Sequence, residues 1–238
     1  EPPQARGSES NLNPKTVSLL RGLTKAETTR ASKRLEKRKT EEEGGAITED
    51  GLSTTDIESI FLGGTRPTKA AIEILMQKIG EWLEQFTESV HIITEDCLWN
   101  ASKAEKTRAA RRIATPGTTT VMAFRANELW ALVAFSTTAR LNCTIGVHAP
   151  GNWAVEQLIA QKVARLKREI TGVDWPQCTT VRRSCPSTGA QECDYGIHMI
   201  GMLLGLVNKD IMKLPRESWR GQQAVLNMRT RLTMMLLT

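Results

Sequence analysis

The chain has 238 residues, 40% of them hydrophobic and 24% charged, enough for one good-sized globular domain with a tail. No apolar run reaches the ~18 residues of a membrane span, and the polar start Glu1–Asn13 lacks the apolar core of a secretory signal, so an intracellular chain with no membrane partner is expected. A net charge of +6 favours an acidic partner, either nucleic acid or an acidic protein face, without choosing between them.

Residues 1–46 read as a charged, flexible arm. Lys25 to Glu43 carries Lys33, Arg34, Lys37, Arg38 and Lys39 ahead of Glu41, Glu42 and Glu43, with only Leu35 and a few alanines between. Such a stretch buries too little apolar surface to offset its ordering entropy unless it docks on something. The plain reading is a solvated linker or an exposed helix. The functional reading is a nuclear-import or nucleic-acid-contacting arm, because clustered cations attract phosphates and import receptors.

A globular texture runs over 47–238. Ile72, Leu75, Met76, Ile79, Leu83 and Phe86 recur at helical spacing behind a cap near Thr68, and Val90 to Ile93 reads as a short strand. Ser102 to Arg112 is a basic helix whose Arg108, Arg111 and Arg112 extend the candidate basic patch. Strands are expected over 119–124, 130–135 and 141–147, in succession and therefore as a meander. A helix over 153–170 follows, with Leu158, Ile159, Val163, Leu166 and Ile170 inside. After a strand near 179–183 come a helix over 197–207, apolar all round and hence buried, and a final helix carrying Val225, Leu226, Met228, Leu232 and Leu236. The fold class is α+β, a mostly antiparallel central sheet flanked by helices.

The five cysteines (Cys97, Cys143, Cys178, Cys185 and Cys193) form no CxxC pair, and the last three have six and seven residues between them. They read as free thiols, with no metal and no cofactor. The tryptophans, Trp153 and Trp219 among them, read as core anchors.

Three segments carry chemistry. Thr119-Thr120-Val121-Met122-Ala123-Phe124 leads to Leu129-Trp130 and then Ala131-Leu132-Val133-Ala134-Phe135. Ile145-Gly146-Val147 ends in His148-Ala149. The third runs from Cys185-Pro186-Ser187-Thr188-Gly189 through Gln191, Glu192, Cys193 and Asp194 to Tyr195-Gly196-Ile197. From about Ile47 onward this order resembles the SUMO-specific cysteine proteases, within the wider group of ubiquitin-like-protein and adenovirus-type proteases.

The resemblance implies a thiol at a helix start, a histidine before a kept tryptophan, and an orienting aspartate at a strand end. Trp130, Pro186, Asp194, Gly196 and Ile197 match the pattern. The histidine position is Leu129, the aspartate position is His148, and the nucleophile position is Tyr195. The oxyanion glutamine falls on Gly189 by counting, with Gln191 the nearest glutamine. Leucine moves no proton, a tyrosine with a reference pKa of about 10 is a poor nucleophile, and histidine lacks the fixed charge of an aspartate.

The resemblance therefore implies an inactive, protein-binding relative. Its cleft would be lined by Trp130, Trp175, Gln191, Asp194, Tyr195 and Gly196, and its partner would be a ubiquitin-like protein or a complex subunit, in the nucleus. One alternative is an active peptidase with a relocated Cys193–His148 dyad assisted by Asp194 or Glu192. The other is a nucleic-acid-associated factor that uses the basic arm.

Overall fold

The computed structural model describes residues 24–43, 51–84, 89–149, 155–183, 192–207 and 222–237. Helices α1 (Lys25–Glu43), α2 (Thr54–Phe61) and α3 (Lys69–Glu84) precede strand β1 (Val90–Ile93), and the short helices α4 (Glu95–Trp99) and α5 (Lys103–Ala114) follow it. Strands β2 (Thr119–Ala126), β3 (Leu129–Thr137) and β4 (Asn142–His148) come next, then α6 (Glu156–Glu169) and β5 (Gln177–Arg183). A single 3-10 turn, Glu192–Asp194, leads into α7 (Tyr195–Val207), and α8 (Gln222–Leu236) completes the described elements.

The five strands form one sheet in the order β1-β2-β3-β4-β5. Its centre is the expected antiparallel meander, while β1 pairs parallel to β2 and β5 parallel to β4. The β2–β3 hairpin turns at Asn127 and Glu128, both at positive φ (49° and 63°). That is the primed turn whose twist suits a two-residue connection.

The pleat sends alternate side chains to opposite faces, and each face has its own core. On one face Val121, Ala123, Trp130, Leu132 and Ala134 pack with α2, α3, α7 and α8. On the other, Met122, Phe124, Ala131, Val133, Ile145 and Val147 pack with α4, α5 and α6. Strong helices form where periodic apolar residues meet a cap. Ser53 with Asp56 opens α2, and Ser102 with Glu105 opens α5, each as a capping box that satisfies two orphan donors.

Several expectations shift. The charged block Lys25–Glu43, read as a linker or exposed helix, is a helix docked by buried Ala31 and Leu35 against α2 and α8. Arg38 donates to the Leu52 carbonyl at 2.7 Å, and Glu42 accepts from the Thr54 N–H at 2.9 Å. Two polar anchors thus supplement a narrow apolar stripe. Leu158 and Leu226, expected inside, are exposed at 39% and 40%. Trp153 and Trp219 lie outside the described residues. Among the described residues, no helix is long and apolar enough to cross a membrane.

Candidate functional site

Tyr195 is the first residue of α7, immediately after the turn that ends in Asp194. The resemblance implies a thiol at such a helix start, where unpaired N–H groups and the helix dipole favour an anion. This chain carries the half-buried phenol of Tyr195 at the start of α7.

Gly196 shows why this corner accepts nothing larger. A Cβ added there would lie 3.1 Å from Pro67 Cγ, 3.2 Å from Trp130 Cδ1 and 3.3 Å from Ile72 Cδ1. The indole of Trp130 is thus pressed against the first turn of α7 and is 3% exposed. Arg125 covers the ring with its guanidinium carbon 5.6 Å from the centroid, near enough for a cation–π contact. The gap beside Trp130, walled also by Lys69, Glu73, Ile93 and Glu95, is a cavity of about 10 Å³. That volume holds about one water.

Glu95 closes this corner from below, its Oε2 accepting the Arg125 N–H at 3.1 Å. Burial pushes its carboxyl above the ordinary carboxylate range, against the opposing pull of that N–H and of Lys162 and Lys69.

Asp194 has a structural occupation. Its Oδ1 accepts Arg229 Nε at 3.0 Å and Nη2 at 2.7 Å. The Arg229 side chain is 0% exposed. It also donates to the carbonyls of Ser59, Ile60, Leu62, Thr65 and Cys193 at 2.7–3.1 Å. The start of α7 is therefore tied to α8 and to the α2–α3 connection. As the acid of a relocated dyad, Asp194 would have to leave this pairing.

Leu129 opens β3 opposite Ala126, and the pleat places it on the Ala131 and Val133 face. Trp130, Leu132 and His148 share the other face, which α7 covers, with His148 registered against Leu132 on one side and Arg183 on the other. His148 is 8% exposed, and both its Nε2 and the Arg183 Nε lie 3.6 Å from where a Gly146 Cβ would stand. A cation thus neighbours the imidazole that stands where the resemblance implies an aspartate. Cys193 is half-buried, and His198 is buried on α7.

Trp175, expected near the cleft, sits across the sheet instead. It packs against the α4–α6 layer and donates Nε1–H to the Ile170 carbonyl at 3.2 Å. Pro186, Gly189 and Gln191 lie outside the described residues. Lys33, Arg34, Lys37 and Lys39 are exposed on α1, and Arg108, Arg111 and Arg112 lie on α5, whereas Arg38 turns inward to Leu52. Among the described residues, no group of three or more His, Cys, Asp or Glu is placed to hold a metal ion.

Arg229 was the site residue that motif reading missed. Its signal is positional: it sits four residues after Val225 and three before Leu232, on the apolar stripe of α8.

No family model matches the sequence, and no curated protein sequence matches it. Solved structures do match the fold. SUMO protease Ulp1 with its catalytic cysteine oxidised to a sulfenic acid is 16% identical, with a TM-score of 0.58 over 92% of this chain and 96% of that one. The Ulp1-like SUMO protease catalytic domain of Chaetomium thermophilum is 15% identical, with a TM-score of 0.57 over 92% and 91%. The Ulp1 protease domain in complex with Smt3, the yeast orthologue of SUMO, is 13% identical, with a TM-score of 0.53 over 92% and 96%. The chain therefore has the Ulp1-like cysteine-protease fold, a mixed five-stranded sheet between two helical layers.

Proposed function

We propose that this chain is a catalytically inactive SUMO-protease-like domain that works by binding another protein. The observation that carries the reading is Tyr195 at the helix start where such proteases hold their thiol. Two further features support it. Leu129 has no proton to transfer, and Asp194 is engaged by a buried guanidinium. Hydrolysis of a peptide or isopeptide needs a thiolate beside an oriented imidazole, with room for the acyl carbon between them.

The partner is a ubiquitin-like body or a subunit of a complex, met on the surface rather than threaded through it. Exposed Lys33, Arg34, Lys37 and Lys39 on α1 suit an acidic partner and a nuclear location.

Labelling with a SUMO vinyl sulfone tests the reading directly. Neither labelling nor turnover of a SUMO isopeptide is expected from the purified chain. Calorimetric titration with a Gly-Gly-ended ubiquitin-like protein should show saturable binding that persists in Cys193→Ala. Labelling or turnover that Cys193→Ala abolishes would restore the peptidase reading in place of this one.

A further inference from the structure

Cys143 on β4 and Cys178 on β5 are 35 positions apart in sequence and directly registered in the parallel pairing of their strands. Neighbouring strands lie about 4.8 Å apart, inside the Cα separation that a disulfide spans. Both side chains point to the same core, where Cys143 is buried and Cys178 is half-buried at the sheet edge. One thiol is thus shielded and the other reachable.

The reachable thiol has a cationic neighbour. Lys167 Nζ donates to the Pro176 carbonyl at 2.6 Å and lies 5.7 Å from the centroid of the Trp175 ring. As a thiol, Cys178 Sγ donates to that same carbonyl oxygen at 3.4 Å. The ammonium is therefore fixed beside the sulfur by two contacts made outside it. Among the described residues, the titratable or charged groups acting on Cys178 are Cys143 from β4 and Lys167 from α6.

We propose that Cys143 and Cys178 are a redox-active thiol pair, which a hydroperoxide converts reversibly into a cross-strand disulfide. Cys178 is the attacking sulfur. Donation of the Cys143 S–H to Cys178, helped by Lys167, outweighs burial and pulls its thiol down to about 6. That same donation, and burial after it, push Cys143 up, so it remains protonated and serves as the resolving thiol.

The Cys178 thiolate attacks the terminal peroxide oxygen. An S–O bond forms as the O–O bond breaks, and the departing alkoxide or hydroxide takes a proton and leaves as alcohol or water. The Cys143 sulfur then displaces hydroxide from the sulfenic acid. The S–S bond forms, the S–O bond breaks, and the Cys143 proton leaves with the hydroxide as water. Two sulfurs have lost two electrons and the peroxide has gained them. A small thiol returns the pair to its reduced state by exchange.

The test treats the full chain with hydrogen peroxide at neutral pH, blocks the remaining thiols and maps the peptides by mass spectrometry. The expected product is a Cys143–Cys178 linked peptide, lighter by the two hydrogens removed (about 2 Da) and lost on adding dithiothreitol. Cys143→Ala should accumulate a sulfenic acid at Cys178 that dimedone traps. Lys167→Met should move the pH midpoint of Cys178 alkylation upward and slow it about tenfold at neutral pH, with circular dichroism unchanged. Linkage to any other cysteine, no linkage at all, or alkylation of wild-type Cys178 with the midpoint of a free thiol near ~8.5 would each overturn the proposal.

Discussion

Replacing Arg229 with methionine removes a guanidinium while keeping most of the volume that α8 buries. The side chain is 0% exposed and serves one carboxylate oxygen and five backbone carbonyls. Removing one member of a buried ion pair costs about 3–5 kcal/mol, because the other charge stays buried without a counter-charge. The Asp194 side chain keeps 18% of its exposure and can recover some hydration, so a loss near the lower end, about 3 kcal/mol, is expected. With a urea dependence of about 3 kcal/mol per molar for a chain of this size, the unfolding midpoint should fall by about 1 M. Tryptophan fluorescence reads that transition. Arg229→Lys should recover only part of the loss, since one ammonium cannot span carbonyls and carboxylate as the planar fork does. Adding Asp194→Leu to Arg229→Met should recover part of the loss, because the orphaned carboxylate is gone while the five carbonyls still lack this donor. A midpoint shift below about 0.3 M for Arg229→Met would show that the contacts contribute little and that Asp194 is available for other work.

Gly196→Ala should destabilise by about 1–3 kcal/mol, because three packed atoms stand within 3.3 Å of the added methyl; unfolding in urea would read it, and a neutral result would mean that Trp130 gives way. Glu95 has a raised pKa in the folded state, so its favourable contribution is complete below the unfolded value and is lost as pH rises through the folded one. Glu95→Gln should therefore gain stability relative to the parent at pH of about 7, and the gain should shrink as pH falls toward about 4.5. A difference that stays flat across that interval would mean that Lys162, Lys69 and the Arg125 N–H cancel the burial.

The meander was legible because β2, β3 and β4 are apolar runs separated by turn residues, and α3 and α6 because their apolar residues repeat at helical spacing. What escaped was set by partners distant in sequence. The docking of α1 depends on two apolar residues and on bonds from Arg38 and Glu42 to backbone atoms around Leu52 and Thr54, which composition does not encode. The parallel pairing of β1 and β5 leaves no local signature. Helix α4, five residues long, is too short to show a period, although Thr94 caps it. The motif order did locate the corner where Trp130 meets Gly196. It misplaced Trp175, because a tryptophan before a proline marks a loop without saying which side of the sheet that loop runs on.

The guanidinium at Arg229 bonds groups that lie 35 to 170 positions away along the chain. Contacts that span so much sequence close only after a large loop entropy has been met, so they consolidate late on the route to the native state. Weakening this contact should shorten the lifetime of the native state far more than it delays its formation.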